Sequence, residues 1–206
     1  MKIRQIQSKD DEFLFNLIRS CLEDASLNIP GTAYFDESIK KMSEFYINQK
    51  GRNYFVITDE NDNALGGCGF AEFGTYNKTL TEKGNDISVA ELQKLYISKE
   101  ARQKGYSYQL VELVEEESKK AGYNKIYLET HHNLHVAMKL YQKLNYTLLE
   151  NPLAGSEHST MDYFLLRICK NFLVTLINVE KLITLFYTKN KWIIFYVRKK
   201  WKRFFY

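Results

Sequence analysis

Between Ser98 and Ser107 the apolar pattern of the chain changes period, and that change restricts the folds open to it more than any other feature. Before it the extended segments dominate. Lys2 to Gln7 reads as a half-buried strand with Ile3 and Ile6 apolar. Asn53 to Thr58 and Ala64 to Phe73 are extended runs joined by the polar turn Asp59 to Asn63, a hairpin by its turn chemistry, and Ile87 to Ser98 is the longest extended stretch. Two helices precede the hairpin. Ser8-Lys9-Asp10-Asp11 offers starting residues for the stripe Phe13, Leu14, Leu17, Ile18 and Leu22, and Asp36 or Ser38 opens a second helix with Ile39, Met42, Phe45 and Tyr46. After the change, Ser107 to Ala121 is helical, with Leu110, Val111, Leu113 and Val114 on one face, a Lys119-Lys120 ending and Gly122 as its cap. Lys125 to Thr130 is a strand, Leu134 to Leu144 a helix, and Tyr146 to Glu150 and Met161 to Ile168 are strands. A hairpin meander followed by β-α-β crossovers predicts a mixed sheet covered by helices.

Composition bears on what lies beyond that pattern. With 206 residues, 45% of them hydrophobic and 26% charged, the chain suits one domain with an appendage and is neither disordered nor collagen-like. Of its 29 basic and 25 acidic residues, nine basic and one acidic fall in 170–206, leaving 20 basic and 24 acidic residues, a net −4, in 1–169. The overall positive charge is therefore no argument for nucleic-acid binding by the body. The tail holds both tryptophans, Trp192 and Trp201, and no glycine, proline or alanine. Cys21, Cys68 and Cys169 are widely spaced and form no Cys-x-x-Cys pair, which points to a reducing, cytoplasmic setting without a disulfide framework. The first residues lack the apolar core of a signal peptide, and no uncharged run nears the ~20 residues of a spanning helix.

Arg102-Gln103-Lys104-Gly105-Tyr106-Ser107 lies where the period changes. A strand, a short basic loop with a glycine and a helix start make an anion site. Open N–H groups at the helix N-terminus point outward, and the dipole adds about 0.3–1 kcal/mol for a nearby negative charge. Gly105 lets the backbone approach a ligand, and Arg102 and Lys104 add positive charge. The loop has neither the P-loop nor the dinucleotide-fold glycine spacing. Taken alone, the hexapeptide fits an ordinary capped helix as well as a phosphate cradle.

The neighbouring segments narrow the choice. Ala90-Glu91-Leu92-Gln93-Lys94-Leu95-Tyr96-Ile97 precedes the loop, Tyr127-Leu128-Glu129-Thr130 follows the helix, and Ala137-Met138-Lys139-Leu140-Tyr141-Gln142-Lys143-Leu144-Asn145-Tyr146 comes next. In this order they resemble the GNAT N-acetyltransferase superfamily, whose pattern is a strand, Arg/Gln-x-x-Gly-x-Gly/Ala, a helix, a strand, then a helix ending Leu-Tyr-x-x-x-Gly-Phe. The chain is most similar to small bacterial members, through Gly31 to Asp36, Gly66 to Gly69 (Gly-Gly-Cys-Gly) and Glu91 to Lys94. The resemblance implies an α/β (α+β) fold, a mixed, mostly antiparallel twisted sheet of about seven strands with about four helices. It covers residues 1–168 as an acetyltransferase domain and leaves 169–206 as a basic, aromatic-rich tail.

The same resemblance implies an acetyl-coenzyme A-dependent N-acetyltransferase acting by direct transfer to an amine of a small-molecule or peptide acceptor, with acetyl-coenzyme A as co-substrate and no metal. Gln103, Lys104, Gly105, Tyr106 and Ser107 would hold the coenzyme A pyrophosphate by backbone amides beside Arg102, while the pantetheine arm pairs with Leu95, Tyr96 and Ile97. Asn133 adjoins Leu134, the position where many members carry a cofactor-contacting Asn. Tyr141 would be the acid for the departing thiolate, since a phenol of pKa near ~10 can protonate a base of similar strength. Glu91 is the candidate base, directly or through water, with Glu129 a second candidate; His158 could orient substrate or relay a proton; Tyr34 and Phe35 would line the acceptor pocket. Each has a plainer alternative: a core tyrosine, a lysine-paired carboxylate, a surface histidine, packing aromatics. Strict alternation would place Glu91, Gln93, Leu95 and Ile97 on one face of their strand. A non-catalytic acyl-coenzyme A binding module is the competing reading, and a homodimer stays open.

Three positions depart from the family pattern: Ser107 stands for Gly or Ala, Leu134 for Asn, and Asn145 for the glycine before the last aromatic. His131-His132-x-x-His135 does not read as a metal set, because adjacent histidines at a strand-to-helix junction rarely converge on one point. The tail lies outside the resemblance. Its basic and aromatic residues suit a membrane-surface or partner helix on an anionic membrane, a nucleic-acid arm, or an extension without an evolved role.

Overall fold

The computed structural model describes residues 1–74, 81–82, 85–86, 88–156, 160–169, 174–178, 181–188 and 191–197. The chain divides into two units, Met1–Cys169 and Lys170–Tyr206. The first unit runs β1 (Lys2–Gln5), α1 (Asp11–Asp24), α2 (Met42–Ile47), β2 (Asn53–Thr58), β3 (Ala64–Glu72), the short β4 (Thr81–Glu82) and β5 (Asn85–Asp86), β6 (Val89–Ile97), α3 (Tyr106–Lys120), β7 (Lys125–Thr130), α4 (His135–Lys143), β8 (Thr147–Leu149) and β9 (Tyr163–Ile168). Seven strands form one open sheet in the order β1-β2-β3-β6-β7-β9-β8, while β4 and β5 pair separately. β6 and β7 run parallel across the α3 crossover, and the other neighbours in that sheet are antiparallel.

Both faces of the sheet centre are covered, so β2 is apolar at every other position on each side. Phe55 and Ile57 pack with Leu110, Val111 and Val114 of α3 and with Leu140, Tyr141 and Leu144 at and just after α4. Tyr54 and Val56 pack with Leu14, Ile18 and Leu22 of α1 and Met42 and Tyr46 of α2. Each fully buried Leu or Ile contributes about 1.5–3 kcal/mol. The expected second helix begins later than its sequence pattern suggests. A 3-10 turn, Glu37–Lys41, precedes it, and Lys41 at φ −140° breaks the run, while burial of Ile39 and Met42 secures both pieces. Asn145 adopts φ +61°, so it serves where the family pattern has glycine. The three cysteines are free thiols.

The second unit holds β10 (Val174–Asn178), β11 (Lys181–Thr188) and β12 (Lys191–Val197), an antiparallel sheet in that order. The helix considered for this stretch is therefore replaced by strands over these residues, in keeping with their Val, Ile, Thr, Tyr and Phe content. The basic cluster Arg198 to Arg203 lies outside the described residues. Among the described residues no helix is long and apolar enough to cross a membrane.

Candidate active site

β6 and β7 pair only through Val89–Lys125, Ala90–Ile126 and Glu91–Tyr127. Beyond that point β6 continues to Ile97 against β3 alone, and β7 continues to Thr130 against β9 alone. The two strands thus part like the arms of a V, which leaves β6 beyond Glu91 without a strand partner on the β7 side among the described residues. A cavity of about 80 Å³ between the strands is lined by Thr32, Leu92, Glu129, Thr130 and Leu134, and another of about 420 Å³ lies beside β3, lined by Asp36, Phe45, Arg52, Glu72 and Phe73; Glu91, Gln93 and Lys94 line both.

The strand itself is not regular, which corrects the alternation expected from its sequence. Gly67 opposes Tyr96 and Gly69 opposes Gln93, so Lys94 and Leu95 together face Cys68 in a bulge, with Lys94 at φ +53°. The extra residue reverses the faces. Leu95 and Ile97 join Ala90 and Leu92 against α3 and α4, while Glu91, Gln93 and Tyr96 lie on the α1 and α2 side. Two tyrosines hold this bulge from across β3: Tyr54 Oη donates to the Lys94 carbonyl at 2.9 Å, and Tyr46 Oη donates to Gln93 Oε1 at 2.8 Å. The glycines of Gly-Gly-Cys-Gly make room for the rings. A Cβ on Gly69 would lie 2.5 Å from Tyr54 Cδ2 and 2.7 Å from the Asn53 carbonyl.

Glu91 accepts a bond from Gln93 Nε2 at 2.6 Å. Lys94 Nζ, almost wholly buried, pairs with Asp36 Oδ2 at 2.9 Å and so ties the bulge to the turn that follows Tyr34 and Phe35. Glu129 Oε1 accepts the Tyr127 hydroxyl at 2.8 Å, while its Oε2 is buried and has no hydrogen-bond partner among the described residues; Glu129 lines the smaller cavity. Tyr141 sits on α4 at 5% exposure, on the face that carries Leu95 and Ile97. Burial, with Cys68 and Tyr96 nearby, pushes its phenol far above the ordinary range.

At the mouth of the V, Gln103 at φ +63° and Gly105 at φ +79° turn the chain into α3. The Gly105 carbonyl accepts the first helical bonds, from Tyr108 and Gln109, so the amides of Gly105, Tyr106 and Ser107 precede the helical ladder. A Cβ on Gly105 would meet nothing within 4 Å, so the space above this helix start is open. Lys104 is exposed beside it. Arg102 is exposed and folds back over the end of β6, its Nε donating to the Ile97 carbonyl at 3.0 Å and its Nη2 lying 3.4 Å from Cys21 Sγ. Tyr106 packs its ring on the core and places its hydroxyl against Met1 Sδ.

The remaining expected residues lie elsewhere. Tyr34 stacks on Arg19 at 3.8 Å and donates to Glu23 Oε1 at 2.6 Å, so it is held against α1 and lines neither cavity; Phe35 is 57% exposed beside it. Asn133 Nδ2 donates to the Ala25 carbonyl at 2.8 Å, which fastens the loop before α4 to the end of α1. His158 lies outside the described residues. His131, His132 and Asp162 do cluster within 4.8 Å, in an arrangement sequence spacing hid because Asp162 is remote in the chain. Their polar atoms engage one another and the nearby backbone: Asp162 Oδ2 pairs with His132 Nδ1 at 2.5 Å, and His131 Nδ1 accepts the Asn133 N–H at 3.1 Å. Tyr46, Lys94 and Asp36 went unrecognised in the sequence, where nothing links α2 or the first turn to β6.

The sequence profile of the acetyltransferase (GNAT) family matches residues 13–146. An uncharacterized N-acetyltransferase of Escherichia coli strain K12, YjgM, is 26% identical over 166 residues, covering 80% of this chain and 93% of that protein. A GNAT-family acetyltransferase from Staphylococcus aureus Mu50 matches with a TM-score of 0.68 at 18% identity over 82% of this chain and 99% of its own. A phosphinothricin acetyltransferase from Sinorhizobium meliloti, solved in complex with AcCoA, matches at 0.58 and 18% identity over 81% and 87%. The structural likenesses show the fold, and the profile spans α1, the hairpin, the parted strands and α4. On that span the chain belongs to the GNAT acetyltransferase family.

Proposed function

We propose that residues 1–168 form an acetyl-coenzyme A-dependent N-acetyltransferase that acetylates a small-molecule or peptide amine by direct transfer. The observation that carries this reading is the parting of β6 and β7 beyond Glu91 and Tyr127, directly before an open helix start. The residues present suit the co-substrate. First-turn amides at Gly105 to Ser107 offer donors to a pyrophosphate, with Lys104 adding charge and Ser107 a hydroxyl. The free edge of β6 offers backbone groups to the amide-bearing pantetheine arm. When bound, acetyl-coenzyme A would supply an acyl carbon activated as a thioester, with Tyr141 on the α4 face of the sheet and Glu91 on the other as the residues that would serve it.

In this arrangement Glu91 takes a proton from the acceptor ammonium, directly or through one water, which exposes the nitrogen lone pair. Tyr141 keeps its proton throughout the working pH range and passes it to the departing thiolate while the new amide nitrogen gives its second proton to the phenolate, so the step closes on one amide and one thiol although burial makes the phenol a weaker acid than a thiol. Glu129, with one buried oxygen lacking a donor, can receive an N–H from the acceptor across the smaller cavity. Glu91→Gln keeps the shape and removes the base. It is expected to lower kcat/KM by about 100-fold while acetyl-coenzyme A affinity changes less than about twofold. Thiol release measured with a panel of primary amines checks this, and wild-type turnover in the variant would remove Glu91 from the role.

A further inference from the structure

We infer that Gln93 is a positioning residue for the Glu91 carboxylate and that Tyr46 sets the orientation of the Gln93 amide. The inference rests on the reading of Glu91 as the base. Tyr46 reaches from α2 to β6, is 1% exposed, and donates its hydroxyl proton to Gln93 Oε1 at 2.8 Å. Burial holds that phenol in its neutral form, so its hydroxyl keeps the proton it donates to the amide oxygen. The other end of the amide is thereby committed: Nε2 points at Glu91 and donates to Oε2 at 2.6 Å.

Without the Tyr46 hydroxyl the amide loses the contact that anchors its oxygen end, and the Gln93 side chain is freer to swing away from the carboxylate. The line Tyr46, Gln93, Glu91 therefore acts in one direction, from a fixed ring in the core to a carboxylate lining both cavities. Room for it is built into the neighbouring strand. Gly69 opposes Gln93, and a Cβ there would lie 3.1 Å from Tyr46 Cε1. The bulge at Lys94 begins directly after Gln93, so the positioned pair Glu91 and Gln93 occupies the last regular stretch of β6 before its faces reverse.

The test is steady-state kinetics on the full chain for Gln93→Leu, Tyr46→Phe, the double variant and Glu91→Gln, with thermal melting as the check that each is folded. Gln93→Leu is expected to lower kcat by about 10- to 30-fold with the KM for acetyl-coenzyme A within about twofold, and Tyr46→Phe to lower kcat by about three- to fivefold. The double variant should be no slower than Gln93→Leu, because Tyr46 acts only through Gln93. Multiplying effects in the double variant, or a loss confined to KM, would overturn the inference. Gln93→Leu with full turnover beside a crippled Glu91→Gln would also overturn it while leaving the base in place. Wild-type turnover in Glu91→Gln would instead remove the reading on which it rests.

Discussion

Tyr141→Phe is expected to reduce turnover by two to three orders of magnitude while acetyl-coenzyme A still binds within about twofold of wild type. The ring packs in the α3 and α4 core, with Tyr146 at 5.6 Å, and phenylalanine keeps that packing. What is lost is a proton held ready in a dry setting. The thiolate must then leave unprotonated or take its proton from another donor. The melting temperature should move by no more than a few degrees, since only a hydroxyl is removed. Paired kcat and calorimetric measurements separate the outcomes: unchanged kcat assigns the proton to another donor, and a matching loss of binding makes Tyr141 a structural residue.

Gly69→Ala has the largest expected effect on stability. Its Cβ would meet the Asn53 carbonyl at 2.7 Å and the Tyr54 ring at 2.5 Å, with Tyr46 behind, and a backbone oxygen in a central strand has nowhere to go. Overpacking of this kind costs about 3 kcal/mol, or a fall of roughly 6–12 °C in melting temperature for a chain this long. Gly105→Ala is the contrast. It meets nothing within 4 Å, so it carries only the left-handed backbone strain of φ +79°, about 1 kcal/mol. Equal melting temperatures for the two variants would show that the Tyr54 and Tyr46 rings do not occupy the space above Gly69.

The distribution of what could be read beforehand follows from range. Helices α1 and α3, the β2-β3 hairpin and the left-handed turn at Asn145 declare themselves through neighbours a few residues away, so their pattern survives in the sequence. The turn from Arg102 to Ser107 into α3 is likewise local. The bulge at Lys94 is not, because an extra residue in β6 is defined only against Cys68 of β3, and its effect was to exchange the faces of Leu95 and Ile97 with those expected. Tyr46 meets Gln93 across 47 positions and Asp36 meets Lys94 across 58. No periodicity reports such pairs. Tyr34, by contrast, was legible as a residue but not as a contact: its aromatic type says nothing of the Arg19 and Glu23 side chains on α1 that hold it.

The direct test is calorimetric titration of acetyl-coenzyme A into the full chain, repeated with Arg102→Ala/Lys104→Ala. A saturable heat with Kd in the micromolar range, on the order of −7 to −8 kcal/mol, and weakening of at least about tenfold in the double variant are predicted from charge-assisted contacts at an open helix start. Absence of binding by a cooperatively folded chain would contradict both the phosphate cradle and the transfer chemistry built upon it.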